Sequence, residues 1–122
     1  ALTGVHLPMV EFLEKMSDRL PHFRGIKYTH NDLMEYRECV RFDEGRHDIL
    51  WGWDELFLAA LAMGARAGVG STFNYAAPLY HELLAAFDAG DLPRARRLQD
   101  QSIAIVRLLG KHGGIATGKA YM

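Results

Sequence analysis

The chain has 122 residues, of which 49% are hydrophobic, so it is long enough for one globular domain with its own core. Its 14 Lys+Arg and 15 Asp+Glu give a formal net charge of -1, which excludes the strong positive field of proteins that bind nucleic acid or anionic membranes. Cys39 is the only cysteine, so no disulfide can form within the chain. With no long apolar run or signal peptide in view, we expect a cytoplasmic protein without nucleic-acid or membrane partners.

The first part of the chain predicts a helix, a strand and a second helix. Residues 8–20 carry apolar side chains at helical spacing, and Pro8 suits a first helical turn. Residues 23–29 are typical of a strand. Asn31 or its neighbour can cap the next helix, which is expected to end near Gly45.

The rest of the chain continues this alternation. Residues 48–52 form a short apolar run, and residues 55–63 predict an apolar helix. Residues 67–71 are expected to form a third strand. Two further helices are predicted at 78–90 and 91–110, each with a proline near its start.

Alternating strands and helices favour parallel strands joined by helical crossovers, in an open sheet or in a barrel. A complete eight-stranded barrel needs roughly 200 residues or more, while three strands alone leave unpaired edges. We therefore expect residues 1–122 to form one α/β domain that is part of a (β/α)8 TIM barrel. The chain begins without Met and ends at Met122 within a helical pattern, so we expect it to come from a longer polypeptide.

Lys27 lies in the first predicted strand. Because side chains alternate along a strand, Lys27 and Thr29 share one face, and Ile26 and Tyr28 lie on the other. If the second face packs against helices, Lys27 faces the barrel lumen near the end where barrel enzymes have their active sites. A desolvated lysine amine there can condense with a ketone. The alternative is a surface lysine without a chemical role.

Two carboxylates follow the second predicted strand. Gly52 ends that strand, and Asp54 and Glu55 lie in the loop or first helical turn after it. Carboxylates at this position can favour the helix N-terminus. They can also accept hydrogen bonds from a polyhydroxylated ligand, and Gly52 allows a close approach of the backbone.

The third predicted strand, at 67–71, combines glycines with hydroxyl groups. Gly68 and Gly70 remove side chains, whereas Ser71 and Thr72 supply hydroxyls. Glycine in a strand often marks close contact with a ligand or another backbone segment. The same residues also fit a tightly packed turn from a strand to a helix.

Motifs for phosphate and metal binding are incomplete. Residues 113–120 nearly match a phosphate-binding loop, but Ala120 replaces the hydroxyl residue that would bind magnesium. His81 begins a partial zinc-protease pattern, yet Ala85 stands where the second histidine is needed. No metal site is predicted.

Read in order, residues 25–33, 50–74 and 86–101 resemble the C-terminal half of the N-acetylneuraminate lyases, a branch of the dihydrodipicolinate synthase-like class I aldolase family. The resemblance implies a (β/α)8 barrel in which the three predicted strands are the sixth, seventh and eighth. It also implies extra C-terminal helices, a homotetramer, and catalysis without a metal or organic cofactor.

The resemblance also assigns roles to single residues. Lys27 matches the lysine that forms the Schiff base, and Thr29 matches an active-site threonine. The positions that it places at the substrate are Gly52, Asp54, Glu55, Gly70 and Ser71.

The implied reaction is cleavage of N-acetylneuraminate, a sialic acid, to pyruvate and N-acetylmannosamine. The family's catalytic tyrosine and its carboxylate-binding loop belong to segments before Ala1, and Tyr28 is on the wrong face to replace that tyrosine. We therefore expect the chain alone to be inactive. The alternatives are a sibling pyruvate-dependent aldolase or synthase, such as a dihydrodipicolinate synthase-like enzyme, and a non-catalytic half-barrel.

Overall fold

A computed structural model describes residues 7–122 of the chain. Helices and strands alternate through the first half, and helices occupy the second. The elements are α1 Met9–Arg19, β1 Gly25–Tyr28, α2 Leu33–Arg41, β2 Asp48–Trp51, α3 Phe57–Ala62, α4 Ala77–Asp88, α5 Leu92–Lys111 and α6 Ile115–Ala120. Short 3-10 turns lie at Phe42–Gly45, Asp54–Leu56 and Thr72–Asn74.

The strands β1 and β2 pair in parallel, with Lys27 opposite Leu50. Parallel neighbours need a long crossover connection, and α2 supplies it here. The predicted alternation of strand and helix is therefore confirmed for this βαβ unit. Both strands end at the same edge of the sheet, where Lys27 and Gly52 come close together.

The prediction of a third strand at 67–71 is wrong. Within the described residues, this segment contributes one parallel bridge, between Gly68 and Trp51. Trp51 N donates to Ala67 O at 3.1 Å, and Val69 N donates to Trp51 O at 2.8 Å. Glycines weaken a strand because they have no side chain to pack, and the chain bends at Ser71 and enters the 3-10 turn at Thr72.

One face of the sheet is buried against helices. Tyr28, Tyr36 and Trp51 form an aromatic group whose ring centroids lie between 4.9 and 6.1 Å apart. Trp51 and Tyr36 are fully buried. Lys27 and Thr29 lie on the opposite, exposed face of β1, in agreement with the predicted alternation.

Polar side chains determine where two of the helices begin. The Asp32 carboxylate accepts hydrogen bonds from the backbone N of Met34 and Glu35, each at 3.0 Å. Asp91 accepts one from Arg94 N at 3.0 Å. These bonds satisfy amides that lack partners in the first turn, so the predicted N-caps are confirmed.

The helices α4 and α5 form a hairpin that packs against α3 and against the turn Thr72–Asn74. Gly90 makes the turn between them with a φ of 73°, a conformation that glycine adopts without steric cost. The α5 helix also contacts the turn Asp54–Leu56, which follows β2. The hairpin therefore supports the end of the sheet where the predicted site residues lie. No helix within residues 7–122 is both long and apolar enough to cross a membrane.

Candidate functional site

A cavity of about 390 Å³ opens at the carboxyl ends of β1 and β2. Its walls come from β1, the segments after β2 and before α4, and the C-terminal part of α5 with the start of α6. The lining residues are Lys27, Gly52, Trp53, Asp54, Glu55, Gly70, Ser71, Thr72, Val106, Leu109, Gly110, Gly114 and Ile115. Every site residue predicted from the sequence lines this cavity, except Thr29.

Thr29 lies next to the cavity, in contact with Gly52. A side chain at position 52 would collide with Thr29 Oγ1. Gly52 N donates to Tyr28 O at 2.8 Å, which extends the pairing of the two strands to their ends. Gly52 is therefore explained by the close approach of β1, and this contact brings Thr29 beside Lys27 on the cavity side.

Asp54 is buried, with 4% of its surface exposed, and its carboxylate holds the segment before α4. Its Oδ2 accepts hydrogen bonds from Thr72 N at 2.8 Å and from Thr72 Oγ1 at 2.6 Å. Gly70 leaves room for this arrangement, because a side chain there would collide with the Asp54 carboxylate. Asp54 thus contacts a neighbouring segment as well as the cavity.

Glu55 has fewer contacts with the protein than Asp54 has. Its half-buried side chain lines the cavity, and its carboxylate makes no hydrogen bond or ion pair with any residue from 7 to 122. Ser71 is exposed and lines the same cavity. A carboxylate and a hydroxyl that face one space can bind the hydroxyls of a ligand.

Beneath the cavity, buried hydroxyls connect Asp54 to the helical hairpin. The Thr72 hydroxyl contacts Tyr80 OH, which lies 2.8 Å from Ser102 Oγ. Ser102 Oγ donates to Asp54 O at 3.1 Å, and Gln99 Nε2 donates to the same oxygen at 3.3 Å. The sequence reasoning missed Tyr80, Ser102 and Gln99. Their signal is a polar group on the inward, otherwise apolar stripe of α4 or α5.

Tyr28 is occupied elsewhere. Its hydroxyl donates to Asp32 O at 2.9 Å and lies 2.8 Å from Glu35 Oε2. Burial, together with the Glu35 carboxylate, raises the pKa of Tyr28. The hydroxyl is therefore protonated and bound on the face away from the cavity.

In the part of the chain that the structure describes, no three His, Cys, Asp or Glu side chains come together as metal ligands would. The groups that the cavity offers are one amine, two carboxylates and hydroxyls. This set suits a carbonyl compound that also carries hydroxyl groups.

Comparison with known proteins gives a consistent result. The model of the dihydrodipicolinate synthetase family matches residues 1–122. N-acetylneuraminate lyase B of Xenopus laevis is 42% identical over 98 residues, which cover 80% of this chain and 36% of that protein.

Solved structures agree with this match. The N-acetylneuraminate lyase of Proteus mirabilis has a TM-score of 0.94 and 41% identity, over 99% of this chain and 41% of that one. The N-acetylneuraminate lyase of Aliivibrio salmonicida has a TM-score of 0.93 and 40% identity, over 98% of this chain and 40% of that one. The chain thus spans between 36% and 41% of the length of these three proteins.

Proposed function

The chain belongs to the dihydrodipicolinate synthetase family, and we propose that it is the part of an N-acetylneuraminate lyase that carries the Schiff-base lysine and the sugar-binding side chains. The observation that carries the proposal is the cavity itself, which Lys27, Glu55 and Ser71 all line. The similarity to the lyases of Proteus mirabilis and Aliivibrio salmonicida supports it. The substrate proposed is N-acetylneuraminate, and the products are pyruvate and N-acetylmannosamine.

The proposed architecture is the last part of a (β/α)8 barrel. In it, β1 and β2 are the sixth and seventh strands, and residues 67–71 follow the path of the eighth. The edge of β1 that faces away from β2 has no strand partner within residues 7–122, so it can pair with a preceding strand. We call the chain joined to the missing strands the completed enzyme. We place it in the cytoplasm as a homotetramer.

The proposed chemistry begins at the Lys27 amine. The amine attacks the keto carbon of the substrate, and loss of water gives a protonated imine. When the carbon-carbon bond breaks, its electron pair flows into the imine and forms an enamine. The proton of the substrate hydroxyl at the breaking bond leaves as the aldehyde forms, and a tyrosine from the missing strands, in its phenolate form, accepts it. Protonation of the enamine and hydrolysis of the imine then release pyruvate.

The other cavity residues are proposed to hold the substrate. Thr29 lies beside Lys27 and contacts the reacting end. Glu55 and Ser71 bind hydroxyls at the other end, and Asp54 adds its carboxylate to the same wall. Charge-assisted hydrogen bonds of this kind are about twice as strong as neutral ones, so they can select a polyhydroxylated substrate.

Covalent trapping tests the role of Lys27. Borohydride reduction of the completed enzyme with pyruvate should fix a three-carbon adduct on the peptide that contains Lys27. Lys27→Ala should abolish both the adduct and the release of pyruvate from N-acetylneuraminate. Lys15→Ala is the matched control, because Lys15 is an exposed residue of α1 whose amine lies 3.6 Å from Glu11.

Two outcomes would contradict the proposal. One is an adduct that maps to Lys111 or Lys119, and the other is full activity after Lys27→Ala. Assays with other 2-keto-3-deoxy acids test the choice of substrate independently of the Schiff-base mechanism. A trapped adduct with faster cleavage of another acid would make the protein a sibling aldolase rather than a sialate lyase.

A further inference from the structure

We infer that Tyr80, which does not line the cavity, is a positioning residue that holds both sugar-binding walls in place through a closed ring of buried hydroxyls. The inference rests on the proposed function, because it concerns how the same cavity selects its substrate. Tyr80 would then be a further determinant of specificity. It is far from Lys27 in the sequence and lies on a different element.

The ring joins four residues from four parts of the fold. Tyr80 on α4 contacts the Thr72 hydroxyl and lies 2.8 Å from Ser102 Oγ on α5. Thr72 Oγ1 donates to the Asp54 carboxylate at 2.6 Å, and Ser102 Oγ donates to Asp54 O at 3.1 Å. Thr72 and Ser102 are fully buried, while Asp54 and Tyr80 are each 4% exposed. Bulk water does not reach these groups. If a hydroxyl of the ring is removed, no water molecule takes its place, and its former partners lose a hydrogen bond.

Tyr80 provides a hydrogen that the other members cannot provide. When the hydroxyl hydrogens of Thr72 and Ser102 are both donated to Asp54, the single Tyr80 hydrogen is the one left for the two contacts of Tyr80, and it bonds one of them at a time. Burial raises the pKa of Tyr80, which keeps the hydroxyl protonated as a donor. Replacing Tyr80 by phenylalanine would therefore open the ring between α4 and the Thr72 segment.

The position of the ring connects it to the substrate. Asp54 is followed directly by Glu55, and Thr72 is preceded directly by Ser71, so two members of the ring adjoin the two hydroxyl-binding groups. Lys27 lies on β1 and makes no hydrogen bond with the ring. Opening the ring should thus loosen the sugar-binding walls while leaving the amine in place.

Tyr80→Phe in the completed enzyme tests the inference. The KM for N-acetylneuraminate should rise about tenfold, with a much smaller change in kcat. The rate of borohydride trapping with pyruvate should stay within about twofold of the unsubstituted enzyme, since pyruvate lacks the hydroxylated chain. Ser102→Ala opens the ring on its other side, because it removes the contacts with Tyr80 and with Asp54 O, and it should raise the KM in the same way.

Tyr36→Phe is the matched control. Tyr36 is also a fully buried tyrosine, and its hydroxyl donates to Ile49 O at 3.1 Å on the helix-covered face of the sheet. Tyr36→Phe should lower the melting temperature without changing the KM for N-acetylneuraminate. If Tyr80→Phe does not fold, Ser102→Ala decides the question with the smaller change.

Equal effects of Tyr80→Phe and Tyr36→Phe on the KM would overturn the inference and leave Tyr80 a purely structural residue. An unchanged KM in Ser102→Ala would do the same. Failure of the proposed function is a separate result, because the unsubstituted completed enzyme would then neither cleave N-acetylneuraminate nor form the trapped adduct.

Discussion

Asp54 and Glu55 are adjacent carboxylates that the fold places in different surroundings. Asp54 is buried and accepts two hydrogen bonds from Thr72. Glu55 makes no such bond within the described residues and faces the cavity. One carboxylate therefore contributes to folding as well as to the site, and the other contributes to the site alone.

This difference predicts distinct results for Glu55→Gln and Asp54→Asn in the completed enzyme. In the proposed sugar site, either change removes a charge-assisted hydrogen bond to the substrate, so kcat/KM for N-acetylneuraminate should fall by roughly ten- to a hundredfold. Imine formation with pyruvate should remain intact in both. Only Asp54→Asn should also lower the free energy of unfolding, by about 1 to 3 kcal/mol.

Steady-state kinetics, pyruvate trapping and urea unfolding check the three parts of this prediction. The sugar-specific role fails if activity toward all 2-keto-3-deoxy acids falls equally. The structural role of Asp54 fails if both variants unfold at the same urea concentration as the unsubstituted enzyme.

The sequence identified the residues of the cavity that carry recognisable chemistry or lie in a familiar pattern. Lys27 was found from strand alternation, and Glu55 and Ser71 from carboxylates and hydroxyls next to glycines. Tyr80 and Ser102 were not found, because each lies within an apolar helical stripe and looks like part of a core. Their role depends on the packing of α4 and α5 against Asp54, which no local pattern encodes.

At the level of elements, the helix positions follow from the sequence better than the third strand does. Caps and apolar spacing act within a few residues, so α2 and α5 begin where the sequence predicts. The segment 67–71 depends instead on distant contacts. Gly68 packs against the rings of Phe57 and Phe73, which lie outside this segment, and it forms a single bridge with β2.

Gly70 and Gly110 have different surroundings, so their substitution by alanine should have opposite effects on stability. Gly70→Ala should destabilise the completed enzyme by about 1 to 3 kcal/mol, since the new methyl group would displace the Asp54 carboxylate. Gly110→Ala should not destabilise it and should add up to about 1 kcal/mol, because Gly110 lies in α5 and, among residues 7–122, no atom beyond its own helical turn comes within 4 Å of the added methyl group.

Urea unfolding of both variants provides the measurement. A Gly70→Ala protein as stable as the unsubstituted one would show that position 70 has more room than the packing of Asp54 allows. A destabilised Gly110→Ala protein would show that α5 is more closely covered at its end than in this structure.

For the whole molecule, the main feature is a sheet with an uncovered edge and apolar surface at its end. Among the described residues, β1 pairs on one side only. Several large apolar side chains are exposed, including Leu108 at 50% and Ile115 at 71%. A barrel closes such edges, and an isolated part of a barrel does not.

The isolated chain should therefore aggregate, dimerise or fold poorly at micromolar concentration, whereas the completed enzyme should be well folded. Light scattering after size-exclusion chromatography and thermal unfolding of both proteins check this expectation. A monomeric isolated chain with a sharp melting transition would show that the exposed edge does not govern its association.

The burial of Cys39 has a consequence for measuring motions of this fold. The thiol is 1% exposed in the core, and burial raises its pKa to about 11, so a reagent in solution meets neither an accessible sulfur nor a thiolate. Alkylation then requires α2 to separate transiently from the sheet. Because Cys39 is the only cysteine among these 122 residues, the labelling rate of the peptide that contains Cys39 reports the frequency of that opening event without any engineered probe.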